Sequence, residues 1–140
     1  MAKQLFFLLL LSLATFLFSC SKAESPAAEH EEEALARTEF TDRIENFFEY
    51  SPLHVGKPSQ FLIHLTDLND GNPVEKAEVS LTIQKEGGGP SSEVKAKVGR
   101  VTGIYVAEVQ LGEKGTYEIS FHVKNEKLDE RLALKGFEVD

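Results

Sequence analysis

From Thr38 onward the chain alternates between apolar and polar positions. Ile44 to Tyr50 (IENFFEY) repeats with a period of two, the pattern of a strand with one buried face. Because neighbouring residues on a strand point to opposite sides, only one of Phe47 and Phe48 can join a core there. Gln60 to Asp67 sets Phe61, Ile63 and Leu65 on one side and Leu62, His64 and Thr66 on the other. Ala77 to Gln84 is the cleanest segment, with Ala77, Val79, Leu81 and Ile83 inward and Glu78, Ser80, Thr82 and Gln84 outward. Ser92–Val98, Gly103–Leu111, Gly115–Val123 and Arg131–Val139 continue the pattern. In the last of these Leu132 and Leu134 fall out of phase with Phe137 and Val139, and Gly136 at the slip predicts a β-bulge. Lys95 and Lys97 suit a sheet edge, where charge discourages pairing with other chains.

Turn chemistry separates these segments. Ser51-Pro52 ends the first, since Pro cannot donate to a ladder, and Gly56-Lys57-Pro58 and Asn69 to Pro73 reverse the chain. Glu86 to Pro90 and Gly112 to Gly115 read as hairpin connections. Short strands spaced by turns, with no helical period after residue 38, predict an all-β fold. The expected architecture is an immunoglobulin-like antiparallel β-sandwich of about seven strands over residues 38–140.

The N-terminal part is built differently. Leu5 to Phe18 is nearly all apolar but only fourteen residues long, too short for a helix across about 30 Å of hydrocarbon. With Lys3 before it, the segment has the proportions of a secretory signal peptide, assigned to residues 1–19. Ser21 to Arg37 is dominated by Ser, Ala, Pro and Glu, which cannot bury enough surface to offset ordering entropy. Residues 20–37 therefore read as an acidic tether.

Charge and cysteine content narrow the function classes. The formal charge is −8, and the chain lacks the Lys/Arg excess that phosphate neutralisation requires, so a nucleic-acid partner is not expected. Cys20 is the single cysteine, so no disulfide forms within the chain and the fold rests on its hydrophobic core. No Ser, Thr or Cys falls in a nucleophile motif, and the carboxylates sit on wet strand faces. The expectation is a non-enzymatic protein without a cofactor.

The residues with most chemistry to offer are His64, His54 and Glu49, candidates for metal or partner binding. Imidazole and carboxylate are borderline ligands for zinc or copper(II), so weak transition-metal binding is one use. A Glu49–His54–His64 centre requires the second strand to fold back on the turn that carries His54. In an immunoglobulin-like order His64 and His122 lie on opposite faces and share no ion. Residue by residue, His64 reads as part of a half-buried polar stripe with Thr66.

Two resemblances add to this. Leu17-Phe18-Ser19-Cys20 resembles the lipobox of bacterial lipoproteins. It implies cleavage before Cys20 and acylation of that residue by several chains such as palmitate, enough for stable membrane anchoring. The series Thr38–Arg43, Glu45–Leu53, Val55–Phe61 and His64–Leu68 with Pro73-Val74 beyond resembles the N-terminal domain of periplasmic adaptors of heavy-metal resistance–nodulation–division efflux systems. That similarity covers Thr38 to about Ile83; the Gly-x-Tyr repeats at Gly103 and Gly115 are similar to small copper-chaperone-like sandwich modules. The adaptors' helical hairpin, lipoyl-type domain and barrel have no counterpart in this sequence, and its one Met, Met1, leaves no Met-based copper site. The resemblance implies a stand-alone envelope lipoprotein, facing the periplasm from the outer membrane, that binds an efflux-system partner or a metal ion. A structural or adhesion-type lipoprotein unrelated to transport, or a remnant of a longer adaptor, are the alternatives.

Overall fold

The computed structural model describes residues 32–140. The signal peptide, Cys20 and residues 20–31 of the tether lie outside the described residues. Nine strands follow one another: β1 Leu35–Phe40, β2 Ile44–Tyr50, β3 Pro58–Asp67, β4 Glu78–Lys85, β5 Ser91–Lys95, β6 Lys97–Val98, β7 Ile104–Gln110, β8 Gly115–Lys124 and β9 Asp129–Val139. A five-stranded sheet in the order β1-β2-β3-β7-β6 packs on a four-stranded sheet in the order β5-β4-β8-β9, with every strand pair antiparallel. Strands β2, β3, β7 and β6 occupy the A, B, E and D places of an immunoglobulin sandwich. Strands β5, β4, β8 and β9 occupy C′, C, F and G.

Three expectations are corrected. The strand count is nine rather than about seven, partly because β1 forms at the edge of β2. Strand β1 starts at Leu35, inside the stretch read as the tether. Arg37 explains why the strand is worth ordering. Its guanidinium lies 4.9 Å from the centre of the Phe137 ring and donates to the Lys135 carbonyl and to Glu39, covering the open side of the core. Second, Ser92–Val98 is two strands, not one. At Ala96, whose amide bonds the Val79 carbonyl, the chain leaves β4 and crosses to pair with β7. Third, Gly112–Gly115 is not a hairpin loop, because β7 and β8 belong to opposite sheets.

The alternation itself matches closely. Strand β2 buries Ile44, Asn46, Phe48 and Tyr50, while β4 buries Val79, Leu81 and Ile83. The expected bulge is present: Tyr117 pairs with Phe137 and Ile119 with Leu134, so Lys135 and Gly136 together oppose Glu118. Gly136 adopts φ 81°, a conformation a residue without Cβ takes at little cost. No disulfide braces the domain, and an aromatic cluster holds its centre. Phe48 lies 4.8 Å from Phe121, and Tyr50 stacks on Phe61 at 4.9 Å. Such pairs add about 0.5–1.5 kcal/mol each beyond their buried area.

Candidate functional site

The two outer faces of the sandwich differ in chemistry. On the four-stranded sheet the outward positions of β4 and β8 are Ser80, Thr82, Glu118, Ser120 and His122, a polar surface. On the five-stranded sheet the outward positions include Phe47 on β2, Leu62 and His64 on β3, and Ile104 and Val106 on β7, bordered by Glu45 and Glu49 on β2, Gln60 and Thr66 on β3 and Glu108 on β7. The first five are partly buried by one another and none reaches the core.

Register puts them in rows. Thr38, Phe47, His64 and Ile104 pair across four adjacent strands, and Ala36, Glu49, Leu62, Val106 and Lys97 form the neighbouring row. The Phe47 and His64 rings therefore meet, with centroids 5.2 Å apart and planes at 59°. Phe47 is the outward member of the aromatic pair and Phe48 is the one in the core, as strand geometry requires.

The structure brings Glu49 and His64 together and leaves His54 elsewhere. The Glu49 Oε2 to His64 Nε2 distance is 3.9 Å, longer than a hydrogen bond, and the buried Nε2 has no partner among the described residues. His64 is thus half-buried with its ring held by Phe47, and its buried Nε2 is unclaimed among the described residues.

His54 occupies the β2–β3 connection near the end of β9, to which Leu53 is bridged through Val139. Its Nδ1 meets the Asp140 carboxylate and its Nε2 meets Glu32 at 2.7 Å. These two hydrogen bonds, Glu32's first and Asp140's second, push the imidazole pKa up from 6.5 against a smaller opposing desolvation. The carboxylates approach from opposite sides of the ring and converge on no common centre. Among the described residues no group of three His, Cys, Asp or Glu is placed to hold a metal ion, so the three-residue Glu49–His54–His64 centre does not form. His122 lies on the opposite face from His64 and meets Asp129 at 2.7 Å. That bond draws the Asp129 pKa below 3.8.

Two depressions accompany these residues. One of about 200 Å³ is lined by His64, Thr66, Pro73, Val101, Thr102 and Ile104, adjoining the apolar rows. A larger cleft of about 560 Å³ lies between the β3–β4 and β8–β9 connections, lined by Asp67, Asp70, Asn72, Lys76 and Lys127 among others. Its walls are loops whose polar groups already serve one another: Asp70 accepts the Asn72 amide at 2.9 Å, which lowers the Asp70 pKa, and the Asn125 side chain donates to the Glu75 carbonyl. Sequence reasoning singled out His64 and Glu49 but missed Leu62, Ile104 and Val106 as one surface. The visible signal was the apolar residue at outward positions of three strands.

Comparisons with known proteins bear on this architecture. A family model described as YtkA-like matches residues 40–122, from the end of β1 to near the end of β8. The crystal structure of as-isolated FetP from uropathogenic E. coli strain F11, recombinantly expressed in the periplasm of E. coli BL21(DE3), is similar with a TM-score of 0.55. The two chains are 12% identical over 79% of this chain and 97% of that one, a likeness of fold. No curated protein gives a significant match.

Proposed function

Since the chain belongs to the YtkA-like family, we propose that it is a non-enzymatic accessory protein of the bacterial envelope. In this reading acylated Cys20 anchors it to the outer membrane, and the outer face of the five-stranded sheet docks a protein of an efflux system. One observation carries the docking role. A sandwich face that meets only water is expected to be polar, as the β4–β8 face is, yet Phe47, Leu62, Ile104 and Val106 surround His64 on the other. The family match, the sandwich shared with a protein expressed in the periplasm, and the lipobox-like Leu17–Cys20 support an envelope setting.

A photo-crosslinking residue placed at Leu62 in cells, with Thr82 as control, tests the reading. Capture of an identified transport component from Leu62 alone, together with altered metal tolerance in a deletion strain, is the expected result. Capture of cell-wall or surface polymers with unchanged tolerance would instead support an adhesion-type lipoprotein.

A second reading rests on the unclaimed His64 Nε2 beside Glu49. An imidazole and a carboxylate are a donor pair for copper(II) or zinc, with remaining ligands from water or a partner. Titration of the full chain with each ion, against His64→Ala and His54→Ala variants, distinguishes the sites: loss of binding in the first variant alone supports this reading.

A further inference from the structure

The charges around the apolar rows say what kind of segment they take. Glu45 and Glu49 stand on either side of Phe47 along β2, each about 7 Å from it by strand rise. Glu108 lies beyond Val106 on β7, and Lys97 is the one cation in these rows. The ion pairs of the described residues leave Glu45 and Glu108 without a partner, and Glu49 approaches only His64. On the opposite face Asp129 meets both His122 and Lys124, and Glu118 stands among Ser80, Thr82 and Ser120 with no large apolar neighbour at the outward positions of β4 and β8.

We infer that the outer face of the five-stranded sheet binds a protein segment in which an aliphatic or aromatic side chain is flanked by Lys or Arg. The central side chain covers Phe47, His64 and Ile104 and reaches the 200 Å³ depression beside them. The flanking cations meet Glu45 and Glu49. This inference rests on the docking role proposed above and names the chemistry of its partner.

Charge selects this occupant over the others within reach. The chain's own tether carries Glu24, Glu29, Glu31, Glu32 and Glu33 against Lys22, and so repels the acidic face. A second copy presents the same carboxylates on a chain of net charge −8. An anionic lipid surface is repelled likewise. A basic, apolar protein segment gains from both features together, because electrostatic complementarity speeds encounter and apolar cover slows release.

The test uses the full-length acylated chain in detergent micelles and fluorescently labelled synthetic peptides read by anisotropy. A Lys-Leu-Phe-Leu-Lys core is compared with Glu-Leu-Phe-Leu-Glu and Lys-Ser-Ser-Ser-Lys cores. The first should bind at least about tenfold more tightly than either control, and more weakly as salt rises. Glu45→Lys with Glu49→Lys, or Leu62→Ser with Val106→Ser, should each cost about tenfold, whereas Glu118→Lys on the other face should change nothing. Equal affinity for the acidic and basic peptides overturns the inference, and this comparison needs no variant to fold. Loss of binding only in Glu118→Lys overturns it too, as does sedimentation showing a dimer that Leu62→Ser dissolves. The two claims fail separately. Selective peptide binding without any transport component crosslinked from Leu62 removes the efflux role and keeps the chemistry; the converse removes the chemistry and keeps the role.

Discussion

The hydroxyl of Tyr105 donates to the Val74 carbonyl at 2.8 Å inside the core. The same oxygen accepts the Ala77 amide at 3.1 Å, so one side chain on β7 satisfies two backbone groups of the β3–β4 connection. Tyr105 is 1% exposed and Val74 is 3% exposed, which leaves water no access to either bond. Tyr105→Phe keeps the ring and removes both bonds. The expected loss is about 1–3 kcal/mol, because buried polar groups lose their only partner. Urea denaturation with an unchanged m-value measures it, and a loss below about 0.5 kcal/mol would show that the connection finds other partners.

Asn46 presents the opposite case. It is fully buried on β2, facing the core between Ile44 and Phe48, and neither atom of its amide has a hydrogen-bond partner among the described residues. An apolar side chain of similar branching relieves that cost, so Asn46→Leu is expected to stabilise the fold by about 1 kcal/mol or more. Asn46→Val, which is smaller and β-branched, guards against overpacking. Destabilisation by both variants would overturn the expectation. Thermal and urea midpoints read the sign.

Phe47 and Phe48 are neighbours in sequence and separated in energy. Phe48 is fully buried against Phe121, Phe61 and Phe137, whereas Phe47 rests on His64 outside the core. Phe48→Ala is expected to cost about 3–5 kcal/mol and Phe47→Ala under about 1.5 kcal/mol. Equilibrium unfolding of the two variants decides this, and similar losses from both would mean that the outer face is part of the folding core.

How far the sequence foretold all this depends on what each signal measures. Period-two alternation reports a buried face, so β2 was legible to the residue and β4 to within one. Strand β1 was not, because Leu35, Ala36, Thr38 and Phe40 are exposed and no residue of the strand enters the core. Its reason to exist is the free edge of β2 and the Phe137 ring under Arg37, neither visible locally. The switch at Ala96 and the sheet change after β7 are likewise choices of partner, which alternation does not encode. At the candidate site, the types His64 and Glu49 were readable. The contact of Phe47 with His64 depends on the register of two strands set by the turn between them. The pairing of His54 with Asp140 spans 86 residues and has no sequence signature.

Gly103 offers a local test of how the depression beside His64 is built. It has φ +81°, and a Cβ there would meet the Pro73 Cβ at 2.5 Å and the Leu65 carbonyl at 3.2 Å. Its own carbonyl accepts the Leu65 amide at 2.9 Å, tying the β6–β7 loop to β3. Gly103→Ala is expected to cost more than about 2 kcal/mol, from left-handed strain of about 1–2 kcal/mol plus the clash. Gly56→Ala, at φ +75° with nothing within 4 Å, should carry the strain alone. Equal losses in denaturant unfolding would remove the role assigned to the Pro73 contact.

The His54 cluster sets a pH dependence whose sign is fixed by the direction of its shift. Its pKa is raised above 6.5 by the hydrogen bonds to Glu32 and Asp140. A raised pKa means that the folded state holds the proton more tightly than the unfolded chain. The stabilisation is therefore complete below 6.5 and disappears as pH rises through the folded-state value. Asp129 and Asp70 act at the other end, since both are lowered below 3.8. Their contribution is present above that value and is lost as pH falls through their folded-state values. Unfolding midpoints followed from acid to alkaline pH should thus pass through a maximum. In His54→Gln the alkaline decline should flatten while the acid limb stays, and in His122→Ala the acid limb should shrink because Asp129 loses its donor. A His54→Gln profile that parallels the parent across the alkaline side would show that the bonds to Glu32 and Asp140 do not hold in solution.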